Sequence, residues 1–518
     1  LLVFFILLGY QFMAPEVGFL EGYRNFKLFS DLVISEEPPL LANENVSTDQ
    51  ILQAIEAAAS DEEGPSSVKE EEPASAHSPN AAVLASENNP SPSSKDDPQA
   101  SGEAGLKARQ PKRSLPFPKE EFRSKSLNSF YKALDELRKG RKDRVRIAFF
   151  GDSMIEGDLI VSTLRSLFQS KFGGQGVGYV PLTSQVAGFR GTIRHQFSDG
   201  WKLDNYIFNR HESPFDFGIS CDVTYAQAPG KEQWVKYEGV HRKRLDSLQR
   251  VRLFYGTPKS ESDEYKLTAI LDKKDSVNLS LNGNKVVNEL QVSSIPVKTL
   301  EMKFETDANL PIYGVSVESS KGVFVDDLPL RGSSGTHLRH LNPEVLNSFN
   351  DYLEYDLVIM QFGTNVADTS SLNYAWYGAN LYKTIRYIQE EMDAPCLVIS
   401  MADKARKIDG ELKTDPAVAG VITAQMGAAS RANATFFNLF QAMGGEGSII
   451  DWVESEKPLA NKDYTHFNFR GANKVGHLLF DFLIDGWGSH RASNQIAPKQ
   501  LTQRKSTPVE ILKAKKIR

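Results

Sequence analysis

The spacing of the apolar runs constrains this chain most. Val145-Arg146-Ile147-Ala148-Phe149-Phe150 reads as a strand that runs straight into Gly151, and further runs of strand length follow at 357–360, 396–400 and 435–437. Helix-patterned segments lie between the later runs, at 379–391 and 416–433, the second opening with Pro416, which a first helical turn tolerates. Ahead of the first strand, Phe122, Leu127, Phe130, Leu134 and Leu137 recur at helical spacing. Short apolar strands alternating with helices predict an α/β fold with a parallel sheet covered on both faces.

One interval breaks the rhythm. A βαβ unit takes ~30 residues or a little more, yet the next sheet strand after Phe150, at 322–326, lies far beyond that. The intervening stretch 189–317 alternates instead of running: Val251-Arg252-Leu253-Phe254-Tyr255, then 265–270, then Val277-Asn278-Leu279-Ser280-Leu281. The last is followed by Asn282-Gly283 and Lys285-Val286-Val287, which predicts a two-residue hairpin, because both turn positions must reach positive φ. An antiparallel β-sandwich inserted at 189–317 is the expectation, dividing the α/β domain into 116–188 and 318–487. Trp201 and Trp234 in the insert are read as core residues.

The ends differ from the middle. Leu-Leu-Val-Phe-Phe-Ile-Leu-Leu-Gly opens the sequence, and the segment 1–20 is read as an anchor or signal remnant, shorter than the about 20 apolar residues of a membrane span. No small-residue cleavage site follows, which favours an uncleaved anchor. From 21 to 115 the chain becomes mostly acidic and rich in Ser and Pro, with Glu70-Glu71-Glu72-Pro73 as an example, and cannot bury enough apolar surface to offset its ordering entropy. It reads as a disordered tether, so the expected location is periplasmic or otherwise outside the cytoplasm, held at the inner membrane. Residues 488–518 read as a basic polar tail, a solvated face rather than an anionic-surface contact. With a net charge of -6, the chain offers no global basic excess for a phosphate backbone, which argues against nucleic acid. Two cysteines, Cys221 and Cys396, cannot build a metal framework; Cys396 reads as a buried thiol.

Three short patterns carry chemistry. Gly151-Asp152-Ser153 follows the first strand and precedes a helix-like 155–168, so Ser153 would stand at the carboxyl edge of the sheet, where open α/β folds bind ligands. Taken alone the tripeptide is an ordinary turn. Asp463-Tyr464-Thr465-His466 can supply a base and the carboxylate that orients it, as a serine hydroxyl requires. Of the nine histidines, only His466 has an aspartate at that offset. Gly363-Thr364-Asn365 follows the strand at 357–361, where an amide can donate to developing negative charge, although taken singly an Asx turn is the more ordinary reading. Gly332-Ser333-Ser334-Gly335 offers further backbone N–H groups. His337 and His340 lack a third partner of suitable spacing and are read as surface or cleft residues, not metal ligands.

In that order at successive strand ends, these blocks resemble those of the SGNH (GDSL-type) hydrolases. The resemblance covers about 144–182 and 322–485. It implies a three-layer αβα, flavodoxin-like sheet and no metal or organic cofactor. It further implies Ser153 as nucleophile, His466 as base and then acid, Asp463 as its orienter, and an oxyanion hole from Ser153, Gly335 and Asn365. The choice of Gly335 over Gly332 rests on the Ser-Gly pattern. Val366 stands where many members carry an acidic residue. A β-rich module between the first and second blocks is similar to the layout of the peptidoglycan O-acetylesterases, in which the module resembles carbohydrate-binding sandwiches.

The expected activity is removal of O-acetyl groups from an envelope polysaccharide through an acetyl-serine, with the acetylated polysaccharide as partner and Trp376 and Tyr377 as sugar-stacking candidates. An O-acetyltransferase would use the same residues and would need a membrane-bound acyltransferase as donor partner. A glycan-binding protein with a vestigial site is the reading of another class; the intact blocks argue against it.

Overall fold

The computed structural model describes residue 118 and residues 120–496, apart from 228–231, 260–263 and 369–371. The anchor segment 1–20, the tether 21–115 and the tail beyond 496 therefore lie outside the described residues. Among those described, no helix is long and apolar enough to cross a membrane.

Five parallel strands form the central sheet: β1 (Arg144–Gly151), β2 (Gly322–Pro329), β3 (Tyr355–Gln361), β4 (Cys396–Ile399) and β5 (Thr435–Phe437). Their order is β2-β1-β3-β4-β5, so the strand order reverses beside β1, the topological switch point at which doubly wound sheets open a crevice. The strands are mostly apolar because both faces are covered, with Arg146 on β1 and Asp326 on β2 as buried exceptions. On one face Ile147, Phe149, Leu357 and Ile359 pack against α1 (Asn128–Arg138), α2 (Leu159–Phe172) and α6 (Phe469–Ile496). On the other, Ala148, Phe150, Val358 and Met360 meet α3 (Pro343–Leu353), α4 (Ala375–Glu391) and α5 (Ala417–Arg431). Each fully buried Phe or Ile of this kind contributes about 1.5–3 kcal/mol. Cys396 is a free, buried thiol, as is Cys221.

The inserted module has two antiparallel sheets, of six and five strands, around its own core of Val235, Tyr237, Leu253, Leu300 and Met302. Trp201 is core, its ring edge-on to Phe304 at 5.2 Å, while Trp234 is half-buried. Three boundaries differ from the sequence expectation. The module opens before residue 189, because Gly178–Pro181 already pairs with the strand Ile312–Glu318. Asn282-Gly283 is not a hairpin: the strand before it, Asp275–Ser280, pairs with Lys266–Leu271 in one sheet, and the strand after it, Val287–Ser293, pairs with Arg250–Gly256 in the other. The positive-φ turn is instead Asp272-Lys273, at φ 49° and 61°, closed by Lys274 N–H on the Leu271 carbonyl. At the far end, α6 continues to Ile496, well into the stretch expected to be a polar tail.

Among the contacts that fix the module to the α/β domain, two stand out. Its ends cross where Gly174 and Gly322, both at positive φ, touch so closely that a Cβ on Gly322 would lie 2.3 Å from the Gly174 Cα. Beneath the sheet, the Arg146 guanidinium of β1 bonds Asp326 of β2 at 2.7 Å and also Glu318 of the module, which in turn accepts from Arg252 at 2.8 Å. All four side chains are buried. A charged residue in a central strand is tolerated here because each charge has a partner.

Candidate active site

Ser153 sits in the turn between β1 and α2. Its loop is held by Asp152 N–H on the Gln361 carbonyl and by a bond from Leu330 N–H to the Gly151 carbonyl. The turn is longer than the sequence suggests: a short 3-10 segment, Glu156–Asp158, with Gly157 and Asp158 at positive φ, delays α2 to Leu159. Far along the sequence, just ahead of α6, a second loop presents Asp463 and His466. That loop is braced by backbone hydrogen bonds: Asn461 N–H bonds the His466 carbonyl, Tyr464 N–H bonds the Asn461 carbonyl, and Ala405 N–H holds the Tyr464 carbonyl.

The two loops bring the predicted residues together. Ser153 Oγ lies 2.9 Å from His466 Nε2, and His466 Nδ1 lies 2.7 Å from Asp463 Oδ2. A carboxylate facing Nδ1 requires the proton there, which leaves the Nε2 lone pair to accept from the Ser153 hydroxyl. Asp463 Oδ1 also accepts the N–H groups of Thr465 and His466, both at 3.0 Å. Partial burial raises the Asp463 pKa, but the His466 ring and these N–H groups outweigh it and hold the carboxyl below its ordinary value, so it stays ionised beside the imidazole.

The oxyanion candidates lie at the neighbouring strand ends. Asn365 is exposed, and its Nδ2 donates to the Ser333 carbonyl at 3.1 Å and to Asp152 Oδ2 at 3.3 Å. Gly335 is buried against the Phe362 ring, and its N–H donates to Ser333 Oγ at 2.9 Å, whereas Gly332 is exposed and a Cβ there would meet only open space. The structure therefore favours Gly335 as the glycine at the site, and in this state both donors are engaged by Ser333 and Asp152. Val366 is buried in the core on the α3–α5 side of the sheet.

Of the two sugar-stacking candidates, only Trp376 is available, at 54% exposure. Tyr377 is corrected: its ring is fully buried, and its hydroxyl donates to the Ser334 carbonyl at 3.3 Å. Adjacent positions on a helix point about 100° apart, so Trp376 faces out while Tyr377 props the loop that carries Gly335. His337 and His340 lie in the 3-10 turn Thr336–His340, and no group of three or more His, Cys, Asp or Glu among the described residues could hold a metal ion.

Two residues at the site make contacts that gave no sequence signal. Asp152 is fully buried, which pushes its carboxyl up to about 6 even though Met154 N–H, His466 and Thr364 favour the charged form. Glu156 takes a forked pair of bonds from Arg331, tying the nucleophile loop to the loop of Gly335. Both contacts join residues distant in the chain, and nothing local marks them.

No family model and no curated protein sequence matches the chain. Among solved structures it is similar to a peptidoglycan O-acetylesterase, at 23% identity and a TM-score of 0.58, over 71% of this chain and 99% of that one. The chain has the SGNH hydrolase fold. Neither module of this chain alone reaches that share of its length, so the inserted β module belongs to the likeness as well as the SGNH domain does. Lesser likenesses extend to the lipase/acylhydrolase from Enterococcus faecalis, at 17% identity and a TM-score of 0.23 over 33% of this chain and 78% of that one. A family two carbohydrate esterase from Cellvibrio japonicus follows, at 8% identity and a TM-score of 0.23, over 57% of this chain and 98% of that one.

Proposed function

We propose that this chain is a serine esterase that removes O-acetyl groups from a cell-envelope polysaccharide such as peptidoglycan. The observation that carries the reading is the assembled relay: Ser153 Oγ to His466 Nε2 at 2.9 Å, and His466 Nδ1 to Asp463 at 2.7 Å. Ser153 attacks the acetyl carbonyl as His466 takes its proton. The negative charge that develops on the carbonyl oxygen meets the N–H groups of Ser153 and Gly335 and the Asn365 amide, which exchange their bonds to Ser333 and Asp152 for it. His466 returns the proton to the departing sugar oxygen, leaving an acetyl-serine, and then activates water to release acetate. No step needs a metal or an organic cofactor.

Support for an acetylated polysaccharide comes from the shared fold, inserted module included, with a solved peptidoglycan O-acetylesterase, and from the exposed Trp376 near the site. The apolar opening residues and the polar tether support an enzyme held at the membrane and working outside the cytoplasm. The test is acetate release from O-acetylated cell-wall polysaccharide by the purified protein, with Ser153→Ala as control. Free acetate from the wild type alone is expected. Acetate moved mainly onto an added chito-oligosaccharide would replace the hydrolase with an O-acetyltransferase.

A further inference from the structure

Two of the exposed large apolar side chains of this molecule touch each other beside the nucleophile. Phe189 and Phe469 are 52% and 65% exposed, with ring centroids 6.3 Å apart and planes inclined by 34°. Phe469 opens α6 three residues after His466, a reach of at most ~11 Å between Cα atoms. Phe189, from the inserted module, lies on Gly157, four residues past Ser153. A Cβ on Gly157 would meet the Phe189 ring at 2.4 Å, and its φ of +75° suits glycine. One ring is thus tied to each half of the relay.

The position of Phe189 is built, not incidental. The next residues run into a buried cluster: Arg190 Nε donates to Thr192 Oγ1 at 3.2 Å, and Thr192 Oγ1 donates to Asp158 Oδ2 at 2.6 Å. Asp158 is itself held by both terminal nitrogens of Arg165, at 2.7 and 2.8 Å. The segment that carries Phe189 is thus tied to the nucleophile loop through the contacts of Thr192 and Arg190 with Asp158. Holding two phenylalanines in water next to a reacting group costs apolar hydration, and such patches mark binding surfaces.

Beyond the pair the surface becomes polar. Asn473 and His477 continue the face of α6 that carries Phe469, at spacings of one and two turns. With Ser162 and Thr163 of α2 and Arg242 of the module they line a cavity of about 330 Å³, within the ~300–1,000 Å³ of small-molecule sites. Hydroxyl and amide groups of Ser166, Gln169 and Thr192, with the cations of Arg165 and Lys243, complete a polar wall that can hydrogen-bond a hydroxyl-rich chain.

We propose that Phe189 and Phe469 stack on the apolar C–H face of a sugar ring in the substrate, and that the polar cavity farther along the same face of α6 receives the next part of the same glycan. The proposal rests on the esterase reading above and adds to it a role for the inserted module, which contributes one wall of the active site. No bond changes at this subsite; it positions the ring that carries, or neighbours, the acetylated hydroxyl.

The test separates binding from turnover. In the Ser153→Ala background, calorimetry with an O-acetylated chito-oligosaccharide is expected to show about a tenfold loss of affinity for Phe189→Ala and for Phe469→Ala, one contact of the aromatic class each. Phe189→Tyr and Phe469→Tyr, which keep the ring, are expected to bind within about threefold of the parent. In the active enzyme the alanine variants raise KM for the acetylated glycan more than they lower kcat. Glycan binding that survives both alanine substitutions overturns the aromatic subsite and leaves the esterase reading intact, as does an equal loss in the alanine and tyrosine variants. A wild type that turns over an aryl acetate but neither binds nor deacetylates any glycan overturns the substrate reading and the subsite together.

Discussion

Replacing Asp463 by asparagine changes one atom and tests the relay. Asp463 Oδ1 accepts two backbone N–H groups at 3.0 Å, and Oδ2 accepts His466 Nδ1–H at 2.7 Å. In the variant the amide oxygen stays on the backbone donors, because turning the NH2 group toward them would leave two N–H groups facing a donor, at about 1–3 kcal/mol each. The NH2 then faces His466 Nδ1, which must become the acceptor. The ring proton moves to Nε2, and Nε2 can no longer accept from Ser153. The expected loss is ~10³–10⁴-fold in kcat, about 4–5.5 kcal/mol of barrier, with KM for a small aryl acetate little changed. Steady-state hydrolysis of 2-naphthyl acetate reads the effect, and a thermal melt shows that the isosteric variant folds. A loss below about tenfold in a folded variant refutes the tautomer argument.

Asn365→Ala removes one amide donor and is expected to lower kcat ~10²–10³-fold; a variant within threefold of wild type in stopped-assay turnover would take Asn365 out of the oxyanion hole. Glu318→Gln leaves the buried guanidinium groups of Arg146 and Arg252 without their shared carboxylate, and is expected to cost about 3–5 kcal/mol in urea unfolding; a cost under 1 kcal/mol counts against the network as the module's fixing point. Burial raises the Glu318 pKa, yet Arg146 and Arg252 outweigh it and hold the carboxyl at about 2, below its ordinary 4.5. Its contribution is therefore complete above pH 4.5 and lost as pH falls toward about 2. The urea midpoint of the wild type should drop more steeply than that of Glu318→Gln over this window, and parallel curves would contradict the assignment.

The parts legible in the sequence were those with local causes. β1, β3, β4 and β5 are buried on both faces and so read as largely apolar runs, broken in β1 by Arg146, and Asp463 and His466 share one short loop, so their offset survives in the sequence. The turn of the module was misplaced because Asn282-Gly283 has the favoured residues for a hairpin, while tertiary pairing puts its flanking strands in different sheets and makes the turn from Asp272-Lys273. Gly178–Pro181 is only four residues long, too short for alternation to reveal. Tyr377 looked like a surface aromatic beside Trp376, since a helical face is fixed by the packing of α4 and not by composition. Arg146, Glu318 and Asp326 meet only in the folded chain, as do Asp152 and Asn365, so their pairing left no pattern to read.

The most direct test of the central claim is rapid-quench mass spectrometry of the intact protein and its Ser153 peptide during turnover of an aryl acetate. The account predicts a transient gain of one acetyl group on Ser153, absent in Ser153→Ala. Turnover without that adduct in Ser153→Ala at the wild-type rate, or an acetyl group on another residue that forms and decays at the rate of catalysis, would contradict it.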